Sequence, residues 1–369
     1  MRGPHIRNLT ASPAVQRLIL DHKLKLPSHP VFVGFVTLVW ATIGGFVFFH
    51  LHAPLPWTLG PIAFCAFAAT VGSRWLMPGS VLLAARPAIG VMAGSGFTPV
   101  VVASIGTWWS EVLVVALFGS IVAVTGFLFF RYVFRFDRVT AFFGSLPAGL
   151  AELTVVGGSL GGNTKSLVLI HSIRIVAIVF CVPLILQFVL GHAVGRVPVA
   201  AGEIAAGIKD WGILIGCAIS GLVLGHYLKL PGGIMVAAMM ISAVVHGLGI
   251  SSAAFPGWFV AGAQIVIGAV AGSRFAGIQW REAWVTALAA VTWALLLVAM
   301  TVAAAWVVTN YSARPYSTGL LSLAPGGMSE MAVITYALGI DVAFIVTCQV
   351  FRTFLMLTTA PFIARLIKP

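Results

Sequence analysis

The second half of this chain repeats the first at a constant offset of 178 positions. The clearest copy runs without a gap over 147–183 and again over 325–361. The identical residues are Pro147, Gly149, Glu152, Val155, Leu160, Gly161, Val168, Arg174 and Pro183, which recur as Pro325, Gly327, Glu330, Val333, Leu338, Gly339, Val346, Arg352 and Pro361. Upstream, Gly90, Gly94, Ser95 and Phe97 recur as Gly268, Gly272, Ser273 and Phe275. Duplicated membrane proteins build two related bundles around a shared working site, so the repeat points toward transport.

The composition places most of the chain in lipid. Hydrophobic residues make up 60% and charged residues 8%, and the mean hydropathy is +1.06. This balance excludes an ordinary soluble enzyme. Apolar stretches long enough to span a bilayer number about ten, at 31–50, 57–72, 81–103, 111–131, 166–191, 211–228, 233–250, 256–275, 284–309 and 341–364. We therefore predict an all-α polytopic membrane protein of two tandem homologous repeats, with about ten transmembrane helices and two further broken segments.

The predicted organisation has four parts: a basic cytoplasmic tail over 1–30, a transmembrane repeat over 31–192, a linker over 193–208 and a second repeat over 209–369. The charged residues of the tail are Arg2, Arg7, Arg17, Lys23 and Lys25 against Asp21 alone. By the positive-inside rule, this excess places the N-terminus in the cytoplasm. The formal net charge of +12 then reflects topology, since no nucleic-acid-binding module surrounds the basic residues. We expect no nucleic-acid partner.

Two apolar segments, near 141–162 and 318–340, are broken at their centres by Pro147 and Gly149 and by Pro325, Gly326 and Gly327. A straight helix is not expected there, and a re-entrant or discontinuous helix fits better. If both segments turn back, each repeat has five spans and the second is inverted. If both cross, each has six and the repeats are parallel. Charge counting barely separates the two arrangements, and we favour inverted repeats because they suit a transporter with broken helices.

Glu152 and Glu330 occupy equivalent positions five residues after the central prolines. A charge in mid-membrane costs about 2.5 to 3.5 kcal/mol on insertion scales, so each glutamate needs a partner, a wet cavity or a proton. The expected partners are Arg174 and Arg352, each 22 positions beyond its glutamate. Two Glu/Arg pairs are predicted, either as buried salt bridges that lock a broken helix or as part of a binding site.

In the functional interpretation, Pro147 and Pro325 lie in the first turn of a half-helix whose free N–H groups face a central cavity. Gly149, Gly326 and Gly327 would let a ligand approach the backbone closely. Such a site could hold an anionic substrate while a glutamate exchanges a proton or coordinates Na+.

Three polar residues near these segments have weaker interpretations. Asn163 and Asp341 precede the following helices and are expected to cap them. His171 lies one turn before Arg174 and could relay protons, although a packed polar residue is favoured because Gln349 replaces it in the second copy. No Cys or His spacing predicts a metal site, and we expect no cofactor.

The blocks LPAGLAELTVVGGSLG and LAPGGMSEMAVITYALGID, with the later HSIRIVAIVFCVP and CQVFRTFLMLTTAP, resemble the duplicated unit of the bacterial AbrB family of membrane proteins. The resemblance covers nearly the whole chain and implies a bacterial inner-membrane location. The family is distinct from the DNA-binding regulator of similar name. Its members are labelled as regulators or as ammonia monooxygenase, while their architecture resembles secondary transporters.

Three functional hypotheses follow. The first is a secondary transporter of a small organic or amino-acid anion, coupled to H+ or Na+, that works in the lipid bilayer, is not an enzyme and could form a homo-oligomer. The second is a membrane sensing protein that affects gene expression without transport. The third, a membrane oxygenase, is disfavoured because the chain offers no repeated cluster of metal ligands.

Overall fold

A computed structural model describes residues 30–72, 79–189, 203–204, 207–228, 232–312 and 314–367. Nearly all the regular structure in these ranges is helical. The α-helices are α1 (Pro30–His50), α2 (Pro56–Thr70), α3 (Gly79–Gly94), α4 (Pro99–Ser104), α5 (Trp109–Leu128), α6 (Arg138–Ser145), α7 (Leu150–Ser159), α8 (Thr164–Leu184), α9 (Ile208–Leu228), α10 (Gly233–Gly247), α11 (Gly257–Ser273), α12 (Trp280–Tyr311), α13 (Tyr316–Leu323), α14 (Met328–Leu338) and α15 (Val342–Ile367). Single π-helical turns extend α5 over Phe129–Val133 and α8 over Ile185–Val189. A two-residue parallel bridge joins β1 (Glu203–Ile204) to β2 (Ala253–Ala254).

Six helices in the described ranges are long and apolar enough to cross a membrane. They are Phe32–His50, Trp109–Val133, Thr164–Val189, Ile208–Tyr227, Trp280–Tyr311 and Val342–Arg365. Each coincides with a span predicted from hydropathy. The chain therefore has the helices of a multi-pass membrane protein, while the full count of ten spans stays a prediction.

The predicted span over 81–103 is not one straight helix. The structure divides it into Leu83–Gly94 and Pro99–Thr107, which are bent by 72°. Pro99 has no N–H to continue the helix, and the Thr98 side chain instead caps α4 by accepting from the Val101 amide at 3.4 Å. Hydropathy alone missed this break because the residues on both sides of it are apolar.

Three other predicted spans, at 57–72, 233–250 and 256–275, form helices of 15, 15 and 17 residues. Two of them are followed, two residues beyond the helix end, by a glycine with positive φ, Gly72 at 103° and Gly249 at 72°, a backbone conformation that glycine adopts without strain. These helices pack across the two halves of the sequence, α2 against α11 and α3 against α10. They are shorter than the six long helices because turns end them early.

Glycines make those two crossings close. A Cβ added at Gly94 would lie 2.5 Å from the Ser242 Cβ on α10, and one added at Gly272 would lie 2.6 Å from the carbonyl oxygen of Ile62 on α2. Gly90 and Gly268 lie one turn earlier on the same faces and also touch the facing helix. Small residues at this four-residue spacing let membrane helices approach each other closely.

The two broken segments each form a pair of short helices separated by a four-residue break. Helices α6 and α7 flank 146–149, and α13 and α14 flank 324–327. The ends of each pair meet: the Asn163 amide donates to the Thr140 hydroxyl at 2.7 Å, and Arg314 is hydrogen-bonded to Asp341. Each segment therefore folds into a helical hairpin whose two ends lie close together.

The predicted cytoplasmic tail lies outside the described residues except for its last position. Most of the predicted linker, 193–208, also lies outside them, apart from the bridge at Glu203–Ile204 and the start of α9.

Candidate functional site at the two helix breaks

The prolines define where the breaks begin. Helix α6 ends at Ser145 and α13 at Leu323, two residues before Pro147 and Pro325. The residues directly before the prolines, Leu146 and Ala324, are extended with ψ of 128° and 120°, as proline requires of its predecessor. The prediction that the prolines occupy the first turn of a half-helix was wrong.

The N-cap positions of the two returning helices are glycines, Gly149 and Gly327. Gly327 has φ of 70° and ψ of 140°, so a side chain there would be strained. The neighbouring Gly326 packs against Ile178 of α8, 2.9 Å from where a Cβ would sit.

The buried arginines bind the backbone at the breaks. Arg174, on α8 and 2% exposed, donates to the carbonyl oxygens of Leu146 at 2.6 Å and Ala148 at 2.8 Å. These carbonyl groups follow the C-terminus of α6, where the helix leaves acceptors unpaired. A guanidinium also complements the negative end of that helix.

Arg352 does the same in the second hairpin. It lies on α15, is 2% exposed, and donates to Leu323 O at 2.9 Å and Ala324 O at 3.3 Å. Gln349, one turn earlier, accepts from Arg352 and donates to the carbonyl oxygens of Leu321 and Ala324, both at 2.9 Å. Its counterpart His171 is fully buried on α8.

The predicted pairing of each glutamate with the downstream arginine was therefore wrong. Among the described residues, Glu152 forms no ion pair with Arg174, and Glu330 forms none with Arg352. The equal spacing of 22 positions was a real feature of both copies. It reflects two arginines that donate hydrogen bonds to backbone carbonyl groups at the helix breaks. Such groups need donors from the protein when they lie inside a membrane.

Each glutamate folds back over the start of its own helix. Glu152 and Glu330 are the third residues of α7 and α14, and their Oε2 atoms lie against the N-cap glycines Gly149 and Gly327. A carboxylate in the first turn complements the positive end of a helix. The anion-binding end that the sequence predicted is thus covered by the protein's own carboxylate.

The two glutamates differ in their partners. Glu330 is 4% exposed, pairs with Arg274 Nη2 at 3.1 Å, and accepts from the Ser329 hydroxyl at 2.8 Å. Glu152 is half-buried and accepts from the Gly232 amide at 3.2 Å. Sequence reasoning missed Arg274 as a partner of Glu330, because the first half has Gly96 at the equivalent position. The sequence signal available for a role of Arg274 was its position directly after the repeated Gly272-Ser273.

The starts of the two returning helices come together. Gly232, which binds Glu152 of α7, also lies against Met328, the first residue of α14, with 2.8 Å between the Met328 Cε and the position of a Cβ on the glycine. Arg174 interacts electrostatically with Arg352, Glu330 and Arg274. The structure thus brings glutamates and arginines from both halves of the chain to the two helix breaks, where Arg174, Arg352 and Glu330 are buried and Glu152 and Arg274 are partly exposed.

Asn163 and Asp341 lie at the outer ends of the hairpins. The Asn163 side chain accepts from the Ser166 amide at 3.1 Å, which confirms its capping role at α8. Asp341 pairs with Arg314, whose guanidinium stacks 3.7 Å above the Phe344 ring. Burial raises the pKa of the Asp341 carboxyl above its ordinary value, while Arg314 opposes that rise.

In the described part of the chain, no group of three or more His, Cys, Asp or Glu side chains could hold a metal ion. The polar chemistry at the breaks is that of carboxylates, guanidinium groups and backbone.

Six long apolar helices and two helical hairpins that bring charged residues together are the features of a multi-pass α-helical membrane protein. A sequence model of the family described as AbrB, transition state regulatory protein AbrB, matches residues 57–368. The chain belongs to this family.

Two curated relatives match most of its length. The protein named "Putative regulator AbrB" of Escherichia coli is 27% identical over 336 residues, which cover 87% of this chain and 92% of the relative. The protein named "Uncharacterized protein YhjN" of Bacillus subtilis is 24% identical over 347 residues, which cover 88% of this chain and 90% of the relative.

Proposed function

We propose that this protein is a secondary transporter of a small organic or amino-acid anion, coupled to H+ or Na+, in the bacterial inner membrane. The observation that carries the proposal is the meeting of two helix breaks, with Glu152 and Glu330 at the starts of α7 and α14. In transporters built this way, half-helix N-termini face anionic groups of the substrate and the breaks supply polar backbone at membrane depth.

The arrangement of charges supports an anionic substrate. Arg174, Arg274 and Arg352 outnumber the two glutamates at the centre. Each glutamate occupies a helix start that would otherwise attract an anion, so a substrate carboxylate and the protein's carboxylate compete for one environment. Such competition is a means of coupling, because a carboxylate displaced from the helix start needs a new cationic partner, which the coupling ion would supply.

The two halves are proposed to be inverted repeats of five spans, with the N-terminus in the cytoplasm. The returning hairpins support this arrangement, since a hairpin adds no crossing. It predicts that the exposed residues Ile208 and Tyr311 lie on the periplasmic side, whereas Arg138 lies on the cytoplasmic side.

Single-cysteine labelling tests this topology. In a variant that lacks Cys65, Cys181, Cys217 and Cys348, cysteines placed at 208 and 311 should react with a membrane-impermeant maleimide in intact cells. Arg138→Cys should react only after permeabilisation, and it serves as the control because six parallel spans would leave it in the cytoplasm too. Protection of both 208 and 311 in intact cells would exclude inverted five-span repeats.

Transport itself is tested in proteoliposomes that contain the purified protein. Carboxylates and amino acids are offered under imposed proton and sodium gradients, with current and radiolabel uptake both recorded so that electroneutral exchange is detected. We expect substrate-dependent flux that loses its dependence on the ion gradient in Glu330→Gln, the buried glutamate, and to a smaller degree in Glu152→Gln. Unchanged flux and pH dependence in both variants would show that the glutamates are structural.

A sensing protein that affects gene expression without transport is the second candidate. Its support is the name of the Escherichia coli relative and the description of the family, both of which refer to regulation. This alternative predicts saturable ligand binding with no flux of any compound that binds.

A further inference from the structure

A cavity of about 640 Å³ lies between the start of α8 and the loop that joins α11 to α12. Lys165, Gln279 and Glu282 are exposed at its mouth, and Leu169 is buried in its wall. Arg274 also lines it. The volume is within the range of pockets that bind small organic molecules.

The cavity opens at one end of the membrane-spanning bundle. Its lining includes Glu282, Ala283 and Thr286 at the start of α12. This helix has 32 residues and is about 48 Å long, and its far end leads to the Arg314–Asp341 pair. The cavity therefore connects one aqueous face, which our topology places in the cytoplasm, with the residue that holds Glu330.

Positive charge prevails in the cavity. Lys165 and Arg274 face a single carboxylate, Glu282. With its amide turned toward that carboxylate, Gln279 donates to Glu282 at 2.9 Å, so Glu282 already has a partner. The first N–H groups of the 21-residue helix α8 add the positive end of its dipole.

Arg274 has unused donor capacity. Its side chain is 23% exposed, and Nη2 is bound to Glu330. The other terminal nitrogen, Nη1, is buried and has no hydrogen-bond partner among the described residues. A guanidinium presents parallel N–H donors that match both oxygens of a carboxylate, so Arg274 can donate to a second carboxylate or exchange the first for it.

We propose that this cavity binds a small, water-soluble carboxylate through Arg274 and Lys165, and that Glu330 is a built-in competitor for Arg274. The inference rests on the proposed function, since it names the site at which the transported anion first meets the buried centre. Bound ligand and ionised Glu330 repel each other across one guanidinium. Removal of the Glu330 charge frees Nη2 and should strengthen ligand binding.

Binding by purified protein in detergent tests the proposal. Succinate, L-glutamate and inorganic phosphate are titrated by calorimetry at low salt. We expect at least one of the two carboxylates to bind, and Glu330→Gln to bind it roughly tenfold more tightly. Lys165→Gln should weaken binding several-fold. Arg281→Gln, which removes an exposed charge from α12 outside the cavity lining, is the matched control and should leave affinity unchanged.

Arg274→Gln alone leaves the buried Glu330 unpaired and risks misfolding. The double variant Arg274→Gln/Glu330→Gln removes both charges, and size-exclusion chromatography shows whether it folds. It should lose at least roughly tenfold in affinity relative to Glu330→Gln. If the folded double variant binds as tightly as Glu330→Gln, or if neither carboxylate binds the parent or Glu330→Gln, the proposal is overturned.

Anionic lipid is the other source of a ligand for this cavity. Titrations are repeated in nanodiscs of phosphatidylcholine alone and with phosphatidylglycerol. Equal carboxylate affinity in both supports a soluble ligand, whereas loss of binding with phosphatidylglycerol shows that a lipid phosphate occupies the cavity and overturns the proposal.

Arg274-dependent binding without flux would uphold this inference and refute transport. Flux in the parent protein that persists in the double variant would support transport and overturn this inference.

Discussion

Replacement of Arg352 by glutamine is expected to remove a large part of the stability of the second hairpin. Arg352 is 2% exposed and donates to the carbonyl oxygens of Leu323 and Ala324 where α13 ends. Each charge-assisted hydrogen bond contributes about 1.5 to 3 kcal/mol, and no water is available in the bilayer core to replace a lost donor. We expect a loss of about 2 to 5 kcal/mol and a fall of roughly 5 to 10 °C in the melting temperature.

Thermal unfolding followed by size-exclusion chromatography in detergent measures this effect. Arg365→Gln is the control, because Arg365 lies on the same helix, is exposed, and loses the same charge. Arg174→Gln should destabilise the first hairpin similarly, since Arg174 binds Leu146 and Ala148 in the same way. The melting temperature of Arg352→Lys should lie between those of the parent and Arg352→Gln, because one ammonium group cannot reproduce the paired donors of a guanidinium. Equal melting of Arg352→Gln and Arg365→Gln would show that the break does not need its arginine.

Replacement of Gly272 by leucine is expected to prevent correct assembly of α11 against α2. Even a Cβ at this position would lie 2.6 Å from the Ile62 carbonyl oxygen and 2.7 Å from the Cys65 Cβ. The obstacle on α2 is backbone, so the helices must separate before a leucine fits. Overpacking at a tight contact costs about 1 to 3 kcal/mol for small additions, and a leucine adds much more volume than that.

Gly262 supplies the matched control on the same helix, since a Cβ there meets nothing within 4 Å. Gly262→Leu should accumulate in the membrane and elute as the parent does, whereas Gly272→Leu should be degraded or aggregate. Gly272→Ala should be intermediate. If Gly272→Leu purified as a monodisperse protein with the melting temperature of Gly262→Leu, the close approach of α2 and α11 would be wrong.

Much of the architecture was predictable because its causes are local. Long apolar stretches became long helices, Pro147 and Pro325 ended helices, and the paired glycines made close crossings. Each of these effects depends on one residue type and its immediate neighbours. The break near Pro99 was missed since apolar residues surround it, although its physical cause is also local.

The candidate site also has features that were recognisable in the sequence and features that were not. The positions of Glu152, Glu330, Arg174 and Arg352 at the breaks were recognisable in the sequence, because two copies carried them at equal spacing. The hydrogen-bond and ion-pair partners of these residues could not be recognised in the sequence. Spacing along the chain paired each glutamate with an arginine, but in the structure the arginines bind backbone carbonyl groups, while Glu330 binds an arginine that the first copy lacks.

The apolar stretches, the central prolines and the charged residues beside them were enough to predict membrane-spanning helices, two helix breaks and the charges at those breaks. Which charged residues contact each other depends on how the helices pack. Arg274 reaches Glu330 across 56 positions, and Gly232 reaches Glu152 across 80. Hydropathy and helix breaking act over a few neighbouring residues and can be read locally. An ion pair depends on the packing of several helices, and on which free backbone carbonyl groups compete for the same guanidinium.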